Sequence, residues 1–388
     1  MDKPLLFTPF QLRNVTFSNR AVLSPMQLYR AGPDGKMTDW HIAHLQKFAI
    51  GGFGTVITEA VFVTPEARST WGDCGLWSDA QVEPLQRLTN SLHAMGCVAG
   101  IQLHHAGPKS SRRRPWEGMG PLLSEHAEIG EPPWQSVSSS AGRTVDGWNP
   151  PCAMTLAEIP TLVEAYVAAA RRADRAGFDL LNLHAAHGYL LHSFLSPVAN
   201  ARTDAYGGSL EGRMRLVLEI AAAVRAVWPS DKVMQVRMSC VDWRPDLEGR
   251  DDGWTIADSI VLAKRLKAIG VDMVDCSSGG IRAENTAIDF ARKRLKYRRG
   301  FQVPYAAAIR RDADLPTMAV GIILDGPQAE AILAEGKADL VAVAREALVN
   351  PNWPLLAANA LMGKEAWSLW PSSYGWWLEM RDRVGIED

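Results

Sequence analysis

The order of apolar and polar positions along the 388-residue chain repeats one unit. A stretch with apolar residues at helical spacing ends at a glycine, and soon afterwards a short apolar run begins that finishes in polar residues. Glycine is the usual residue just past a helix end, because it adopts the left-handed backbone conformation without the steric cost of a Cβ atom. Such runs follow Gly54, Gly96, Gly177, Gly270 and Gly336. The repeat predicts helices that alternate with buried strands.

The helix starts agree with this interpretation. Ser78, Thr155 and Asp325 each stand three residues before a Gln or Glu, which is the spacing of a capping box, and Thr255 before Asp258 is a weaker version. After Thr155, apolar residues at 159, 162, 163, 166, 167 and 170 predict one face of a long helix.

Eight apolar runs are strand candidates. They lie at 21–26, 55–60, 97–105, within 179–189, and at 232–239, 271–278, 316–323 and 338–345. Strands that are buried on both faces and alternate with helices form parallel sheets, and eight of them favour an α/β protein with a closed (β/α)8 TIM barrel. A doubly wound open sheet is the alternative, but no G-x-G-x-x-G follows the first strand.

Further segments complete the expected single domain over residues 1–388. Alternation around Arg13 predicts an N-terminal hairpin at 10–17 that closes one end of the barrel. The connections 107–152 and 196–209 follow the third and fourth barrel strands, so both are expected over the C-terminal face, where barrel active sites are built. The Trp-rich tail, about 355–388, is expected to return to that face through 367–377.

Composition narrows the function. Forty-one Lys and Arg against 43 Asp and Glu give a net charge of −2, so no basic field attracts nucleic acid or a membrane, and small molecules are the expected partners. The five cysteines form no C-x-x-C pair, which argues against iron–sulfur ligation or a disulfide framework. With no export signal or apolar membrane span, the expected location is the cytoplasm.

Polar residues at the ends of the predicted strands are expected to converge on one mouth of the barrel. They are Gln27, Glu59, Gln102, His104, His184, His187, Arg237, Ser277, Ser278 and Arg345. His184 and His187 can share this pocket only if their strand ends between them and the chain turns. They then either hold a substrate oxygen as hydrogen-bond donors or ligate a metal with His104, His105 or Glu59; two core histidines are the third alternative.

Other side chains keep two interpretations each. Tyr189 is a general acid or a packing residue. Arg237, in an apolar run, needs either an ion pair with Glu59 or an anionic ligand. Residues 319–323 and 343–345 resemble the phosphate grip of barrels. Arg112–Arg114 form a solvated loop cluster or, less favourably, meet a nucleotide phosphate.

Several motifs together resemble the Old Yellow Enzyme family of FMN-dependent ene-reductases, in particular the bacterial branch with the YqjM and xenobiotic reductase proteins. The motifs are Leu23-Ser-Pro-Met26, Gly100-Ile-Gln-Leu-His-His-Ala-Gly107, His184-Ala-Ala-His-Gly-Tyr189, Leu195-Ser-Pro197, Arg202-Thr-Asp-Ala-Tyr-Gly-Gly208 and Ala342 to Pro351. The resemblance covers about Pro4 to Pro354.

This resemblance implies noncovalent FMN, reduced by NADPH or NADH, that passes hydride from flavin N5 to the β-carbon of an activated alkene such as an enone or a nitro compound. The resemblance also implies the residues that contact the cofactor: Ser24, Pro25, Met26 and Gln27 border the isoalloxazine, Ala60 and Gln102 lie on its pyrimidine side, and Arg237 lies near N1 and O2. It implies that Gly321, Ala344 and Arg345 hold the phosphate. On the substrate side, it implies that His184 and His187 bind the substrate oxygen, Tyr189 donates the proton and Tyr29 lines the pocket. A homo-oligomer, dimer or tetramer, is also expected.

Three positions depart from the family pattern. Gln27 stands where the branch usually has Cys, Pro108 where Arg is common, and Ala344 where Gly is frequent; the last is harmless if its φ is negative. The alternative function is a related flavin barrel that acts on an amine or on an aromatic or enoyl thioester. Rivals of other classes are a metal-dependent lyase or hydrolase and a barrel that binds ligands without turnover.

Overall fold

Strands and helices alternate along the chain, as the apolar pattern predicts. The structure is a computed structural model, and it describes residues 3–142, 149–242, 253–281 and 298–384. The strands are β1 (Phe10–Leu12), β2 (Val15–Phe17), β3 (Ala21–Leu23), β4 (Thr55–Phe62), β5 (Val98–His104), β6 (Val137–Ser138), β7 (Cys152–Ala153), β8 (Leu180–Ala185), β9 (Val233–Ser239), β10 (Met273–Ser277), β11 (Thr317–Val320) and β12 (Leu340–Val343). The α-helices are α1 (Asp39–Ile50), α2 (Val82–Ala94), α3 (Glu158–Arg175), α4 (Leu190–Leu195), α5 (Leu210–Val227), α6 (Ile256–Ile269), α7 (Val303–Ala313), α8 (Gly326–Ala334), α9 (Arg345–Val349), α10 (Trp353–Met362) and α11 (Ser372–Arg383).

Eight parallel strands close a barrel in the order β3-β4-β5-β8-β9-β10-β11-β12, with β12 pairing back to β3. Seven of them lie within the predicted apolar runs and β4 extends two residues beyond its run, and every residue of these strands is buried. Burial on both faces follows from helices outside and side chains inside, which is why the runs are almost continuously apolar. The predicted (β/α)8 TIM barrel is confirmed.

Two apolar clusters stabilise the barrel. One lies inside it and brings together Val22, Ile57, Leu180 and Leu340 from strands around the ring, with Phe17 of the N-terminal hairpin. The larger cluster lies between the strands and the surrounding helices. Close packing of both layers fixes the strand ends, and these carry the polar side chains described below.

The hairpin β1–β2 is antiparallel, as predicted, and it covers the N-terminal end of the barrel. Arg13 at its turn donates to Asp272 at 2.6 Å and to the Gly270 carbonyl at 3.0 Å, both just before β10. This arrangement leaves the opposite, C-terminal end for the long connections.

The helix starts follow the predicted capping residues, with two shifts. Ser78 caps a short 3-10 turn at Asp79–Gln81, and α2 begins after it at Val82. The side chains of Asp325 and Thr255 accept from the backbone N–H groups of Gln328 and Asp258. Thr155 pairs with Glu158 as predicted, but α3 itself begins only at Glu158. No described helix is both long enough and apolar enough to cross a membrane.

The C-terminal tail does not return to the C-terminal face, so that prediction is wrong. Trp370 and Tyr374 border a groove with Phe53 and Gly96, which precede β4 and β5 at the N-terminal end. The tail lies there because α10, which precedes it, is anchored at this end. Trp353 of α10 stacks on Phe53 with ring centroids 6.4 Å apart. The tail therefore leaves the barrel at its N-terminal end.

Candidate active site

A cavity of about 140 Å³ lies at the C-terminal end of the barrel strands. Its lining residues come from β4, β5, β8, β9 and the loops that follow the strands. They are Pro25, Gln27, Ala60, Phe62, Ser69, Gln102, His104, His184, His187, Tyr189 and Arg237. Residues from distant parts of the chain thus meet at one mouth, as expected of barrel strand ends.

The histidine pair depends on the end of β8. The strand stops at Ala185, and His187 takes a left-handed backbone conformation with φ 60°, which turns its ring back toward His184. The His187 Nδ1 atom lies 3.3 Å from the His184 Nε2 atom. Gly188 completes the turn with φ 72°, where a Cβ atom would come within 2.1 Å of the Gly280 carbonyl oxygen. The predicted strand end between the two histidines is confirmed.

Both histidines are neutral. Burial is the main cause that holds the pKa of His184 and of His187 well below the usual value, and neighbouring cations add to it. The Ala186 N–H donates to His184 Nδ1 at 3.2 Å, which leaves the hydrogen of His184 on Nε2. The other nitrogen of His187 lies 2.6 Å from the Ser277 hydroxyl. Each ring is therefore held in place by a group that sequence spacing does not reveal.

A metal interpretation of this pair gains no support. Among the described residues, the cluster with metal-ligand geometry is formed by His41, Glu59 and Cys74, and it does not include His184 or His187. That cluster is itself a hydrogen-bonded unit, in which His41 Nε2 lies 2.8 Å from Glu59 Oε1.

Tyr189 stands beside the histidines. Its ring meets that of His104 edge to face with centroids 4.3 Å apart, and that of His184 at 5.1 Å. The Lys109 ammonium lies 5.2 Å from the ring centroid of Tyr189. The Tyr189 ring is thus packed among His104, His184 and Lys109.

The prediction of a solvated cluster at Arg112–Arg114 is wrong for Arg112. Arg112 is only 6% exposed, because its backbone N–H donates to the Ser69 carbonyl at 2.9 Å and the loop folds inward over the cavity. Arg114 remains nearer the surface, where it pairs with Glu117 and Glu131. The difference comes from loop packing and not from the residue type.

Arg237 reaches the base of the cavity. Its Nη1 atom donates to the Ser24 hydroxyl at 3.0 Å and lies 3.4 Å from Asp275 Oδ2. Glu59, the partner considered from the sequence, instead accepts from the Leu28 backbone N–H at 2.7 Å and pairs with a histidine. Arg237 therefore forms an ion pair, but with Asp275 and not with Glu59.

Asp275 was missed because it lies on the neighbouring strand. The register of β9 and β10 places it directly beside Arg237. It also accepts from Asn182 at 3.3 Å, and Asn182 accepts from Gln102 at 3.2 Å. Burial raises the pKa of Asp275, while Arg237 and Asn182 oppose the rise. A polar chain therefore runs across the barrel from Gln102 to Arg237.

Gln27 has a buried carboxylate partner. Its Nε2 atom donates to Asp73 Oδ1 at 2.7 Å, and the other oxygen of Asp73 accepts from the backbone N–H groups of Ser69 and Thr70. Burial raises the pKa of Asp73 to about 6, against the effect of these hydrogen bonds. The orientation of the Gln27 amide is thus set by a loop residue 46 positions away.

The predicted phosphate residues lie next to each other, outside the cavity lining. Pairing of Val320 with Ala342 brings the loops after β11 and β12 together. Gly321 has φ 116°, a conformation that favours glycine, and Ala344 has φ −118°, so alanine is unstrained there. Arg345 begins α9 and is exposed.

The predicted site residues thus fall into two groups. Pro25, Gln27, Ala60, Gln102, His184, His187, Tyr189 and Arg237 border the cavity, whereas Ser24, Met26, Tyr29, Gly321, Ala344 and Arg345 do not line it. Ser24 is joined to the first group through Arg237. Phe62 and Ser69 belong to the lining without having been predicted, and no local pattern distinguishes them.

The residues present suit a flavin. Arg237 Nε is buried without a hydrogen-bond partner among the described residues, and so is Asp275 Oδ1 next to it. An orphaned buried donor is costly, and a polar ring edge that accepts a hydrogen bond would remove this cost for Arg237. Pro25 and Ala60 add apolar lining beside these polar groups.

Comparison with known proteins identifies the family. Residues 5–362 match the NADH:flavin oxidoreductase / NADH oxidase family. NADPH dehydrogenase of Geobacillus sp. (strain WCH70) is 41% identical over 358 residues, 92% of this chain and 94% of that protein. NADPH dehydrogenase of Bacillus subtilis (strain 168) is 40% identical over 357 residues, 92% and 95% of the two chains. The solved structure of morphinone reductase superimposes with a TM-score of 0.69 at 29% identity, covering 90% of this chain and 88% of its own.

The predicted family, enzyme class and cofactors are confirmed together. The chain belongs to the NADH:flavin oxidoreductase / NADH oxidase family, and it is an Old Yellow Enzyme-like oxidoreductase that uses FMN and NAD(P)H.

Proposed function

We propose that this protein is an ene-reductase for activated alkenes such as enones, with nitro compounds as further substrates. Bound FMN would supply the hydride chemistry, from NAD(P)H through N5 to the β-carbon of the alkene. The observation that carries the proposal is the meeting of two neutral histidines and a tyrosine at one cavity above Arg237.

The histidines have the chemistry to hold a carbonyl or nitro oxygen. A neutral imidazole donates one N–H bond, and two such donors aimed at one oxygen polarise the alkene as charge develops on that oxygen. The 3.3 Å separation of His184 Nε2 and His187 Nδ1 means that an oxygen between them replaces their mutual contact. Burial keeps both donors neutral, so substrate binding does not depend on their protonation.

Tyr189 is the proposed proton donor. Its ring lies 5.1 Å from that of His184, so its hydroxyl is close to an alkene whose oxygen the histidines hold. Proton delivery to the α-carbon completes the reduction that hydride begins at the β-carbon. Tyr29, whose ring contacts Trp116 at 5.7 Å, is the proposed side wall of the substrate pocket.

The cofactor contacts belong to the same proposal. Ser24, Pro25, Met26, Gln27, Ala60 and Gln102 would border the isoalloxazine, and Arg237 would favour negative charge near N1. Gly321, Ala344 and Arg345 would hold the phosphate, on the paired loops after β11 and β12. A cytoplasmic location agrees with the five cysteines, which are all free. A dimer or tetramer remains part of the proposal.

The test separates the two half-reactions. Flavin reduction by NADPH and by NADH, and then reoxidation by 2-cyclohexenone, are followed at about 450 nm under anaerobic conditions. Wild-type protein is expected to complete both steps. Tyr189→Phe is expected to slow reoxidation by the enone roughly a hundredfold, the lower end for loss of a general acid, while reduction stays within about twofold. Equal loss of both steps would exclude Tyr189 as the proton donor, and absence of enone turnover in wild type would exclude the ene-reductase function.

A further inference from the structure

Ser277 has a side chain that the proposed function does not use, although it contacts one of the two histidines proposed to hold the substrate oxygen. It is the last residue of β10, it is buried, and its Oγ atom lies 2.6 Å from His187 Nε2. The other ring nitrogen of His187, Nδ1, faces His184. Since a neutral imidazole carries one hydrogen for its two nitrogens, the partner on one side of the ring determines what the ring offers on the other side.

The hydrogen of His184 is fixed by the backbone. The Ala186 N–H donates to His184 Nδ1 at 3.2 Å, and a main-chain N–H cannot become an acceptor. Neutral His184 therefore presents an N–H group at Nε2, 3.3 Å from His187 Nδ1. The corresponding partner of His187, at Nε2, is the Ser277 hydroxyl, which can either donate or accept.

His187 does not avoid this choice by taking up a second proton. Burial holds its pKa well below the usual value, and the cations Arg237 and Lys109 add to the effect. The neutral ring carries its hydrogen either on Nε2, where Ser277 must accept it, or on Nδ1, in which case the Ser277 hydroxyl must donate to Nε2. Only the second arrangement gives His187 a donor on the side that faces His184.

The surroundings of Ser277 favour the second arrangement. Gln302 donates from Nε2 to the Val320 carbonyl at 3.0 Å, so its Oε1 atom is the acceptor that faces the two serines. The Ser278 hydroxyl donates to this oxygen at 2.7 Å, whereas the Ser277 hydroxyl lies 3.3 Å from it. Because Ser278 already satisfies Gln302, His187 Nε2 at 2.6 Å is the more favourable acceptor for the Ser277 hydrogen.

We propose that Ser277 is a positioning residue that keeps the hydrogen of His187 on Nδ1 while a substrate oxygen is bound. The inference rests on the proposed role of His187. The N–H groups of His184 and His187 then point at one place from ring nitrogens 3.3 Å apart, which is unfavourable when nothing lies between them and favourable when an oxygen does. The pair therefore suits oxygens that only accept hydrogen bonds, namely carbonyl, nitro and phenolate oxygens.

The direct test locates the hydrogen of His187 in the FMN-loaded protein with saturating 4-hydroxybenzaldehyde. In protein labelled with ¹⁵N at histidine, long-range ¹H–¹⁵N correlations show which ring nitrogen carries a hydrogen. His187→Ala identifies the His187 signals among those of the nine histidines. We expect the hydrogen on Nδ1. A hydrogen on Nε2 in this complex would overturn the proposal, because Ser277 would then be the acceptor.

Binding of the same phenol gives the second measurement, through the charge-transfer absorbance of the flavin. Ser277→Ala removes one hydrogen bond to His187, so the affinity is expected to fall roughly tenfold. Ser277→Thr keeps the hydroxyl and is expected to recover most of this loss. Ser259→Ala is the matched control: it removes a buried hydroxyl that donates to the Cys240 carbonyl, and it should leave the affinity unchanged.

A double variant separates positioning from a general loss of structure. If Ser277 acts through His187, Ser277→Ala should cause no further loss of phenol affinity when His187 is already Ala, and the affinity for FMN should equal that of wild type. The same loss with and without the His187 ring, or a parallel loss of FMN affinity, would show a structural role and refute the proposal.

The outcomes also separate this inference from the proposed function. If His187→Ala binds the phenol as tightly as wild type, the proposed role of His187 itself fails. If His187→Ala weakens binding but Ser277→Ala does not, the role of Ser277 is refuted and that of His187 stands. Absence of enone turnover in wild type would exclude the ene-reductase function, while the position of the His187 hydrogen is still measured. That measurement uses wild-type protein, so it provides the test should Ser277→Ala not fold.

Discussion

Asp73 shows how one buried carboxyl couples the site to pH. Its folded pKa of about 6 lies above the ordinary value of 3.8, and burial is the main cause. The folded state therefore holds this proton more tightly than the unfolded chain, and the contribution of Asp73 to stability falls as the pH rises from about 4 to about 6. The ionised form above this range accepts the hydrogen bonds from Gln27, Ser69 and Thr70.

Asp73→Asn is expected to remove this part of the pH dependence. Because the shift is about two units, the free energy of unfolding of wild type should lose on the order of 3 kcal/mol from this group between pH 4 and pH 6. Urea unfolding at several pH values measures the slope, and Asp34→Asn at the surface serves as the control. An identical slope in Asp73→Asn and wild type would contradict the assignment.

The histidine pair supports a second prediction at the residue scale. Replacing His184 or His187 by Ala removes one of two N–H donors to a bound oxygen, so the affinity for a phenol such as 4-hydroxybenzaldehyde should fall roughly tenfold or more. The charge-transfer absorbance of the flavin with the bound phenol reports the affinity. Unchanged affinity in both variants would mean that these rings do not hold the ligand oxygen.

At the scale of elements, the register between strands decides which charges meet. Arg237 on β9 and Asp275 on β10 are register partners, and Asp275 is fully buried. Arg237 also donates a hydrogen bond to the hydroxyl of Ser24, which follows β3 on the other side of the barrel. These contacts of Arg237 link two distant strands at the base of the cavity. They stabilise it because the buried guanidinium gains two polar partners, Asp275 and Ser24.

Asp275→Asn keeps the shape but removes the negative charge beside Arg237. An uncompensated buried guanidinium should lower the free energy of unfolding by about 3 kcal/mol or more. Arg299→Gln breaks the exposed pair with Asp325 and should cost less than about 1 kcal/mol. Both are measured by urea unfolding of the apoprotein, and similar costs for the two variants would show that the buried pair is not structural.

At the scale of the whole molecule, the cofactor should stabilise the closed barrel. The proposed FMN contacts come from strand ends around the ring, so binding requires the folded barrel. At a free FMN concentration of 100 times Kd, the free energy of unfolding should increase by about 2.7 kcal/mol. Riboflavin at the same concentration should give a smaller increase, because it lacks the phosphate that the loops after β11 and β12 are proposed to hold. Equal stabilisation by both flavins would remove the role of Gly321, Ala344 and Arg345.

The amino-acid sequence by itself determined the local features of this protein. Glycines before five of the strands, near-continuous apolar runs and strand-end polar residues predict the barrel, and the step from His184 to His187 predicts the turn at Ala185. These features depend on residues close together in the chain, where backbone geometry and apolar burial leave few alternatives.

Only the tertiary structure decided the partners of the charged groups and the course of the tail. Arg237 meets Asp275 and not Glu59, Gln27 meets Asp73, and Arg112 is buried while Arg114 stays nearer the surface. Many carboxylates and phenols in the chain satisfy the same electrostatic requirement, so the type of residue does not select among them. Strand register and loop packing make that choice, because they set which groups lie within a few ångströms of each other.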